Sequence, residues 1–218
     1  TMQIAKQAFG IEIAENALIF FKNGSPAYIT KRFDLKEDGS KLAQEDFASL
    51  SGRTPQTHGE RYKYSGNYLE LFEIMKRFVP AYLIEAPKLL KILIFNYLFS
   101  NGDAHFKNFS LIETSMGDFK LSPAYDLLNS RIHIEDKDFA LEDGLLPKKL
   151  AQGKVISQFR ILSEKAGINE KVYDEIINSM LNQTGLVEKL TFSSFLDEKT
   201  QRNYFQSYQT RLKKLNKE

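Results

Sequence analysis

The hydrophobic and polar positions at the start of the chain predict a helix followed by a β-hairpin. Residues 2–9 have the spacing of an amphipathic helix, and Gly10 provides its stop signal. Two β-rich runs follow at 16–22 and 26–34, and a short Asn-Gly-Ser turn separates them. Because Asn-Gly between such runs is typical of a tight turn, we expect the two runs to form a hairpin.

Further along, the pattern is mostly helical around a second hairpin. Residues 35–67 are polar and contain one short predicted helix at 44–50. The second hairpin is predicted from 109–113 and 119–126, with a polar turn between them. The other predicted helices are 68–78, 87–100 with Pro87 in its first turn, 154–166 before Gly167, 169–184 before Gly185, and 197–216. This order of elements predicts an α+β fold with a small β-containing N-terminal part and a larger, mostly helical C-terminal part.

Composition narrows the kind of protein. The chain has no cysteine, which excludes disulfides, thiolate nucleophiles and zinc sites built on thiolates. Its 30 basic and 28 acidic residues leave a formal charge of +2, too small and too evenly spread to argue for direct nucleic-acid binding. The longest nearly apolar stretch, 92–99, is far shorter than the roughly 20 residues that span a bilayer. We therefore expect a soluble protein of the cytoplasm with no membrane segment.

A dense polar cluster interrupts the most apolar part of the chain. Asp103, His105, Lys107 and Asn108 fall within six consecutive positions, directly before the second hairpin. The strands of that hairpin run out and back at about 3.3 Å per residue, so Asn108 and Asp126 should lie at the same end of it. An ordinary turn needs one or two such side chains. The combination of these four residues with Asp126 therefore indicates a catalytic or ligand-binding site.

The residue types suit magnesium and phosphate. Asn108 and Asp126 would supply amide and carboxylate oxygens, and Mg²⁺ takes few such protein ligands while it keeps water and substrate phosphates. Asp103, five residues before the Asn, would accept the proton of a hydroxyl group or orient that group. Protein kinases divide the work in the same way, with an Asp and an Asn in one loop and a second Asp after it.

The segment "NYLFSNGDAHFKNFSLIE", followed by "KLSPAYDLLNS", resembles the paired signature of the HipA-like serine/threonine kinases, the toxins of HipBA toxin–antitoxin modules. A weaker similarity extends from "TMQIAKQAFGI" through "PAYITKRFD" and "AQEDFASLSG" to the C-terminal helices. The resemblance implies a protein-kinase-like fold, with residues 1–34 as a β-hairpin remnant of the N-terminal nucleotide lobe and 35–218 as the helical C-terminal lobe. It places a catalytic loop at 101–108 and a metal-binding hairpin at 109–126.

The resemblance also implies roles for the polar cluster. Asp103 matches the catalytic Asp of the family, and Asn108 and Asp126 match its magnesium ligands. His105 matches a loop His near the nucleotide phosphates. Lys107 matches a catalytic-loop Lys whose charge opposes the charge that develops on the transferred phosphoryl group.

A second stretch implied by the resemblance is Lys31, Arg32 and Phe33. It falls where the family chain passes from the small lobe to the large one and lines the adenine of ATP. An exposed strand end explains these residues equally well. The implied reaction is ATP- and Mg²⁺-dependent transfer of the γ-phosphoryl group to a protein hydroxyl.

Two parts of the family pattern are missing from this sequence. The family places a serine-bearing, glycine-rich loop and a strand Lys before the point where this chain begins, and neither is found here. Lys22 and Lys31 both come too late in the chain to replace that Lys. The chain is either a fragment of a longer kinase or a naturally shortened protein, and we expect weak or absent kinase activity from these 218 residues alone.

Two other functions stay open. A catalytically degenerate, kinase-like module would bind a nucleotide or an antitoxin-like protein; the missing loop favours it, whereas neighbouring acids are costly to keep without a cation. A metal-dependent phosphohydrolase ranks lower, because such sites need more ligands than His58, His105 and His133 bring together.

The resemblance implies partners that composition does not indicate. Family kinases act beside a DNA-binding antitoxin of the HipB type, so a small helix-turn-helix protein is an expected partner. A protein substrate is implied as well, and members of the family are associated with phosphorylating an aminoacyl-tRNA synthetase, the glutamyl-tRNA synthetase.

Overall fold

Two small β-sheets and a larger set of helices make up the computed structural model, which describes residues 1–132 and 137–216. The strands in chain order are β1 Asn16–Phe20, β2 Pro26–Thr30, β3 Gln44–Asp46, β4 Ser110–Glu113 and β5 Phe119–Leu121. The helices are α1 Met2–Phe9, α2 Phe47–Leu50, α3 Pro55–His58, α4 Leu69–Phe78, α5 Tyr82–Leu98, α6 Val155–Lys165, α7 Glu170–Leu181, α8 Thr184–Phe192 and α9 Glu198–Leu215. Short 3₁₀ turns lie at Tyr62–Tyr64, Phe106–Asn108 and Ser130–Ile132.

The predicted N-terminal elements are confirmed. Gly10 follows α1 with φ 60°, a left-handed conformation that glycine adopts without a Cβ clash. Strands β1 and β2 pair antiparallel, with Leu18 opposite Tyr28, and both side chains are largely exposed. In contrast, α1 buries Phe9 against the aromatic rings of α5. The division of the chain at residue 34 stays a prediction.

The second sheet has one strand more than predicted. The hairpin of β4 and β5 is confirmed, but β3 pairs with β4 on the other side, and Gln44 lies opposite Ile112. The predicted helix at 44–50 is therefore wrong for its first three residues, because a long-range ladder takes them as a strand. Asp46 then caps α2, and its Oδ1 accepts the Ser49 N–H at 2.9 Å.

Helix α5 begins five residues before the predicted start at Pro87, which instead lies inside the helix. Tertiary contacts stabilise the added turn. The Tyr82 hydroxyl donates to the Ala166 carbonyl at 2.6 Å, and the Glu85 carboxylate accepts the Leu121 N–H at 3.2 Å. Both side chains are buried. These contacts offset the hydrogen bond that the proline ring cannot make.

A helix that the sequence pattern did not predict lies near the C-terminus. The predicted helix at 169–184 ends early, because α7 stops at Leu181, and Gly185 is not its stop signal but lies inside the separate helix α8. Val187 and Thr191 are buried where α8 packs against α1 and α9. The predictions for α4, α6 and α9 are confirmed within one or two residues at each end.

The core is centred on α5, and aromatic rings connect it to both ends of the chain. Phe99, directly after α5, is fully buried. Its ring stacks on Phe95 at 4.3 Å and on Tyr208 of α9 at 5.0 Å, and it meets Phe9 of α1 edge-on at 5.8 Å. The residues that follow, which form the polar cluster, thus begin from a rigid support. In the described parts of the chain, no helix combines the length and apolarity needed to cross a membrane.

Candidate active site

The structure brings Asn108 and Asp126 into direct contact. The Asn108 Nδ2 group donates a hydrogen bond to Asp126 Oδ2. Asp126 does not end the return strand, as the sequence pattern suggested, because β5 stops at Leu121. The chain stays aligned beyond that point, since the Ser122 N–H still donates to the Ser110 carbonyl at 2.9 Å. The predicted proximity of the two side chains is therefore confirmed, although the hairpin alone does not produce it.

Buried asparagines that the sequence pattern did not single out hold Asp126 in place. Asp126 has φ 55°, a left-handed conformation that Asp adopts more readily than most residues. The Asn101 Nδ2 group donates to the Asp126 carbonyl at 3.2 Å and to Asn96 Oδ1 at 3.0 Å. The Asp103 N–H donates to Asn101 Oδ1 at 3.3 Å. One side chain thus connects the loop that carries Asp103 to the backbone of Asp126. The available signal was Asn96, a polar residue within the apolar run of α5.

The donor set fits a magnesium ion. Asn108 is buried, and its Oδ1 atom has no hydrogen-bond partner. A buried amide oxygen without a partner is costly unless a ligand satisfies it. Asn108 lines a cavity of about 10 Å³, together with Asn96, Asn101 and Asp126. Asn108 Oδ1 and the Asp126 carboxylate are thus the two oxygen ligands that would hold Mg²⁺.

Metal sites of other kinds have no support in the described parts of the chain. Across residues 1–132 and 137–216, no three His, Cys, Asp or Glu side chains are grouped so that they would hold a metal ion. His58 is exposed and lies away from the cluster, and His133 lies outside the described residues. The structure therefore adds nothing in favour of the phosphohydrolase alternative.

Asp103 is partly exposed on the same loop, and a tyrosine contacts it. The Tyr64 hydroxyl donates to Asp103 Oδ1 at 2.6 Å. The sequence pattern around Tyr64 predicts only a polar loop and gives no sign of this contact. No local signal could encode it, because the two residues are 39 positions apart in the chain.

His105 is buried between Asp103 and Asn108, and its Nδ1 atom has no hydrogen-bond partner. Its backbone N–H donates to the Asp103 carbonyl at 2.8 Å, and its carbonyl accepts the Asn108 N–H at 2.9 Å. Burial, followed by the positive charge of Lys63, lowers the pKa of His105 below its ordinary value of 6.5. The imidazole is therefore neutral at pH 7 and faces the site without a charge.

We expect His105 to make the fold less stable in mild acid. Below pH 6.5 the unfolded chain binds a proton at this imidazole that the folded chain does not, so the free energy of unfolding falls as pH falls. Urea unfolding at pH 7.5 and 5.5 should show a smaller loss of stability for His105→Gln than for wild type. His58→Gln, at an exposed histidine, should keep the wild-type loss. An equal loss in all three proteins would contradict the prediction.

Lys107 points to a cleft next to the cluster. Its Nζ pairs with Asp46 at 2.8 Å, and this hydrogen bond raises the pKa of Lys107 above its ordinary value. The Tyr125 hydroxyl donates to the Lys107 carbonyl at 3.0 Å and so connects the loop to the residue before Asp126. Burial raises the pKa of Tyr125 to about 12, so its hydroxyl stays protonated. Asp46, Lys107 and Tyr125 line a cleft of about 410 Å³.

One of the three residues predicted to line the adenine lines this cleft, and a second contacts one of its lining residues. Arg32 is part of its wall and forms an ion pair with Asp34, in which Nε donates to Oδ1 at 2.9 Å. The Phe33 ring stacks on Tyr125 at 5.9 Å between ring centroids. Lys31 is exposed and pairs with Glu15 at 3.3 Å. Arg32 thus shares the cleft lining with Lys107, Phe33 contacts the lining residue Tyr125, and Lys31 is not part of the lining.

The fold is similar to those of two solved proteins. HipA of Shewanella oneidensis, solved in a toxin–antitoxin complex with HipB and operator DNA, matches 97% of this chain with a TM-score of 0.70 and 18% identity. CtkA, a proinflammatory kinase of Helicobacter pylori, matches 98% of this chain with a TM-score of 0.58 and 14% identity. The chain therefore has the kinase-like fold that these two proteins share. The matches cover 53% of the Shewanella chain and 80% of CtkA.

The family follows from the sequence comparison. Residues 1–186 match the HipA-like C-terminal domain, and this chain belongs to that family. "Putative kinase Y4dM" of Sinorhizobium fredii is 34% identical over 149 residues, which are 67% of this chain and 34% of that protein. A "Putative kinase" of Haemophilus influenzae is 23% identical over an alignment that covers 99% of this chain and 68% of that protein. The chain thus spans about a third of the length of Y4dM.

Proposed function

We propose that this chain carries the metal-binding and proton-accepting residues of an ATP- and Mg²⁺-dependent serine/threonine protein kinase of the HipA-like type. The observation that carries the proposal is the contact between Asn108 and Asp126, in which a buried amide oxygen is left without a partner. Asp103 lies on the same loop, and its carboxylate is partly exposed. Membership of the family and the kinase-like fold support the same reaction class.

The proposed mechanism is in-line phosphoryl transfer. The oxygen of the acceptor hydroxyl forms a bond to the γ-phosphorus, the bond from that phosphorus to the bridging oxygen breaks, and ADP leaves. Asp103 orients the hydroxyl and accepts its proton. Bound Mg²⁺ would neutralise charge on the phosphate oxygens, and Asn108 and Asp126 would hold it. His105 stays neutral, so it does not compete with the metal for negative charge.

The cleft beside Lys107 is the proposed place of the nucleotide. Its volume of about 410 Å³ lies in the range of small-molecule sites. Phe33 and Tyr125 offer aromatic rings at its border, and Arg32 and Lys107 offer positive charge. Lys107 would oppose the charge of the transferred group, once a phosphate replaces Asp46 as its partner.

A second candidate function is a kinase-like module that binds a nucleotide or an antitoxin-like protein without catalysis. One observation favours it: two of the three cations that line the cleft are already paired with carboxylates, Lys107 with Asp46 and Arg32 with Asp34. A nucleotide would have to displace these carboxylates.

The proposed partners follow from the relatives. The Shewanella HipA structure contains HipB and operator DNA, and by that likeness we propose a DNA-binding antitoxin of the HipB type as a partner. A protein hydroxyl is the proposed acceptor, and an aminoacyl-tRNA synthetase is the proposed substrate class by family resemblance. Co-purification with a HipB-type protein and phosphorylation of a purified synthetase would test the two proposals separately.

Magnesium-dependent nucleotide binding is the first expected result. Calorimetric titration of the chain with ATP should show binding that tightens when Mg²⁺ is present. Asn108→Ala should weaken the Mg²⁺-dependent binding by about 10- to 100-fold, because it removes one of two protein ligands. Asn178→Ala, on an exposed part of α7, should bind as wild type does. If Mg²⁺ does not change the affinity for ATP, the assignment of Asn108 and Asp126 as magnesium ligands is wrong.

A further inference from the structure

The side chain of Asp103 has one partner for its carboxylate in the described parts of the chain. Tyr64 donates to Oδ1 at 2.6 Å, whereas no described side chain donates to Oδ2. The backbone N–H of Asp103 is engaged separately with Asn101. One carboxylate oxygen is therefore held by the phenol, and the other has no hydrogen-bond donor among the described residues.

The phenol of Tyr64 is itself fixed from several sides. Tyr64 is the last residue of the 3₁₀ turn Tyr62–Tyr64, and its backbone carbonyl accepts the Glu142 N–H at 3.0 Å. Its ring meets the buried His105 ring edge-on at 5.1 Å. The Arg61 guanidinium and the Lys63 ammonium lie over the same ring, at 5.2 and 5.0 Å from its centroid. These contacts leave the hydroxyl little freedom to leave Asp103.

A fixed phenol changes what the carboxylate can do. A group that accepts a proton must lie within about 2.6–3.2 Å of the hydroxyl it serves, in a defined direction. A carboxylate that rotates freely loses that alignment for part of the time, and a second residue that locks its torsion restores it. Because the Tyr64 hydroxyl donates to Oδ1, it would hold the carboxylate torsion and leave Oδ2 for the acceptor hydroxyl.

We propose that Tyr64 is a positioning residue that holds Asp103 in the orientation required for phosphoryl transfer. The inference rests on the proposed function, since it assigns Tyr64 a task only if Asp103 serves the acceptor hydroxyl. It adds the segment around residues 61–64 to the site, although the family signature does not include that segment. The positive charges of Arg61 and Lys63 lie over the Tyr64 ring. Among the described residues, neither side chain forms a hydrogen bond with the Asp103 carboxylate.

The first experiment measures steady-state phosphoryl transfer by the protein at its natural length. Tyr64→Phe keeps the ring and removes the donor, so kcat should fall about tenfold, as for other residues that act through a catalytic group. The KM for ATP should not change, because Tyr64 does not line the proposed nucleotide cleft. Tyr62→Phe is the matched control in the same turn, and it should keep the wild-type kcat. A rise in kcat for Tyr64→Phe would mean that the phenol blocks the acceptor position, which overturns the inference.

A double-mutant comparison separates this inference from the proposed function. In an Asp103→Asn background, Tyr64→Phe should cause no further loss of rate, because the two residues act as one unit. If Asp103→Asn itself keeps the wild-type rate, the proposed function fails. If Asp103→Asn abolishes transfer and Tyr64→Phe keeps the wild-type kcat, only the role of Tyr64 fails.

A second measurement needs no activity and uses the chain as it stands. Backbone amide exchange in residues 102–106 should become faster in Tyr64→Phe, because the loop loses its contact with a packed residue. Exchange in the same residues should be unchanged in Tyr62→Phe. Equal exchange in both variants and the wild type would show that the phenol does not fix the loop, and the inference would be wrong.

Discussion

Replacing Asp126 by Asn is expected to reduce phosphoryl transfer by about 1,000-fold or more in the protein at its natural length, because electrostatic stabilisation of the transferred group carries most of the catalysis in this reaction class. The change removes the negative charge that would hold Mg²⁺. The Asn side chain has nearly the same shape, and its carbonyl oxygen can still accept the hydrogen bond from Asn108. The backbone carbonyl of residue 126 keeps its bond to Asn101. Folding should therefore survive the change.

The measurement is the rate of transfer to a protein substrate, with thermal unfolding of the same samples as a check on the fold. Glu188→Gln is the control, because it neutralises an exposed acid on α8, far along the chain from the cluster. Its rate should equal the wild-type rate. If Asp126→Asn transfers phosphate as well as wild type does, the assignment of Asp126 as a metal ligand is wrong.

Replacing Phe99 by Ala is expected to lower the free energy of unfolding by about 3–5 kcal/mol, the usual cost of removing a fully buried ring. Phe99 is 0% exposed. It contacts rings on three helices, at Phe95, Phe9 and Tyr208, so the loss affects α1, α5 and α9 together. Such a loss is a large share of the roughly 5–15 kcal/mol that stabilises a domain of ordinary size.

Urea unfolding followed by circular dichroism provides the measurement, and Phe21→Ala is the matched control. Phe21 follows β1 and is 58% exposed, so its removal should change the free energy of unfolding by no more than about 0.5 kcal/mol. A single cooperative transition is expected for both variants if α1 unfolds with the helical part. Similar losses for the two variants would contradict the packing described around Phe99.

The candidate site was predictable from the sequence to the extent that its residues are local. Asp103, His105 and Asn108 lie in one short loop, and their types and spacing indicate phosphate and metal chemistry without knowledge of the fold. The proximity of Asn108 and Asp126 was predicted from a hairpin. The structure confirms the proximity, but strand β5 ends at Leu121, before Asp126. The roles of these residues as base and metal ligands stay predictions.

The side chains that contact the site residues were not predictable, because they come from distant parts of the chain. Tyr64 reaches Asp103 across 39 positions, and Lys107 pairs with Asp46 across 61. No periodicity or turn signal encodes such contacts, since each depends on how separate elements pack. Only the buried Asn96 offered a clue, as a polar residue in an otherwise apolar helix.

The sequence by itself determined the elements whose signals are local: α1 with its Gly10 stop, both hairpins, α4, α9 and the polar loop after α5. Capping residues, turn dipeptides and apolar periodicity act over a few residues, so they can be read one segment at a time. The tertiary structure alone decided that 44–46 forms a strand, that α5 starts at Tyr82, that α8 exists and that Tyr64 contacts Asp103. In each of these cases burial and long-range hydrogen bonds outweigh the local preference, because they contribute more free energy than propensity does.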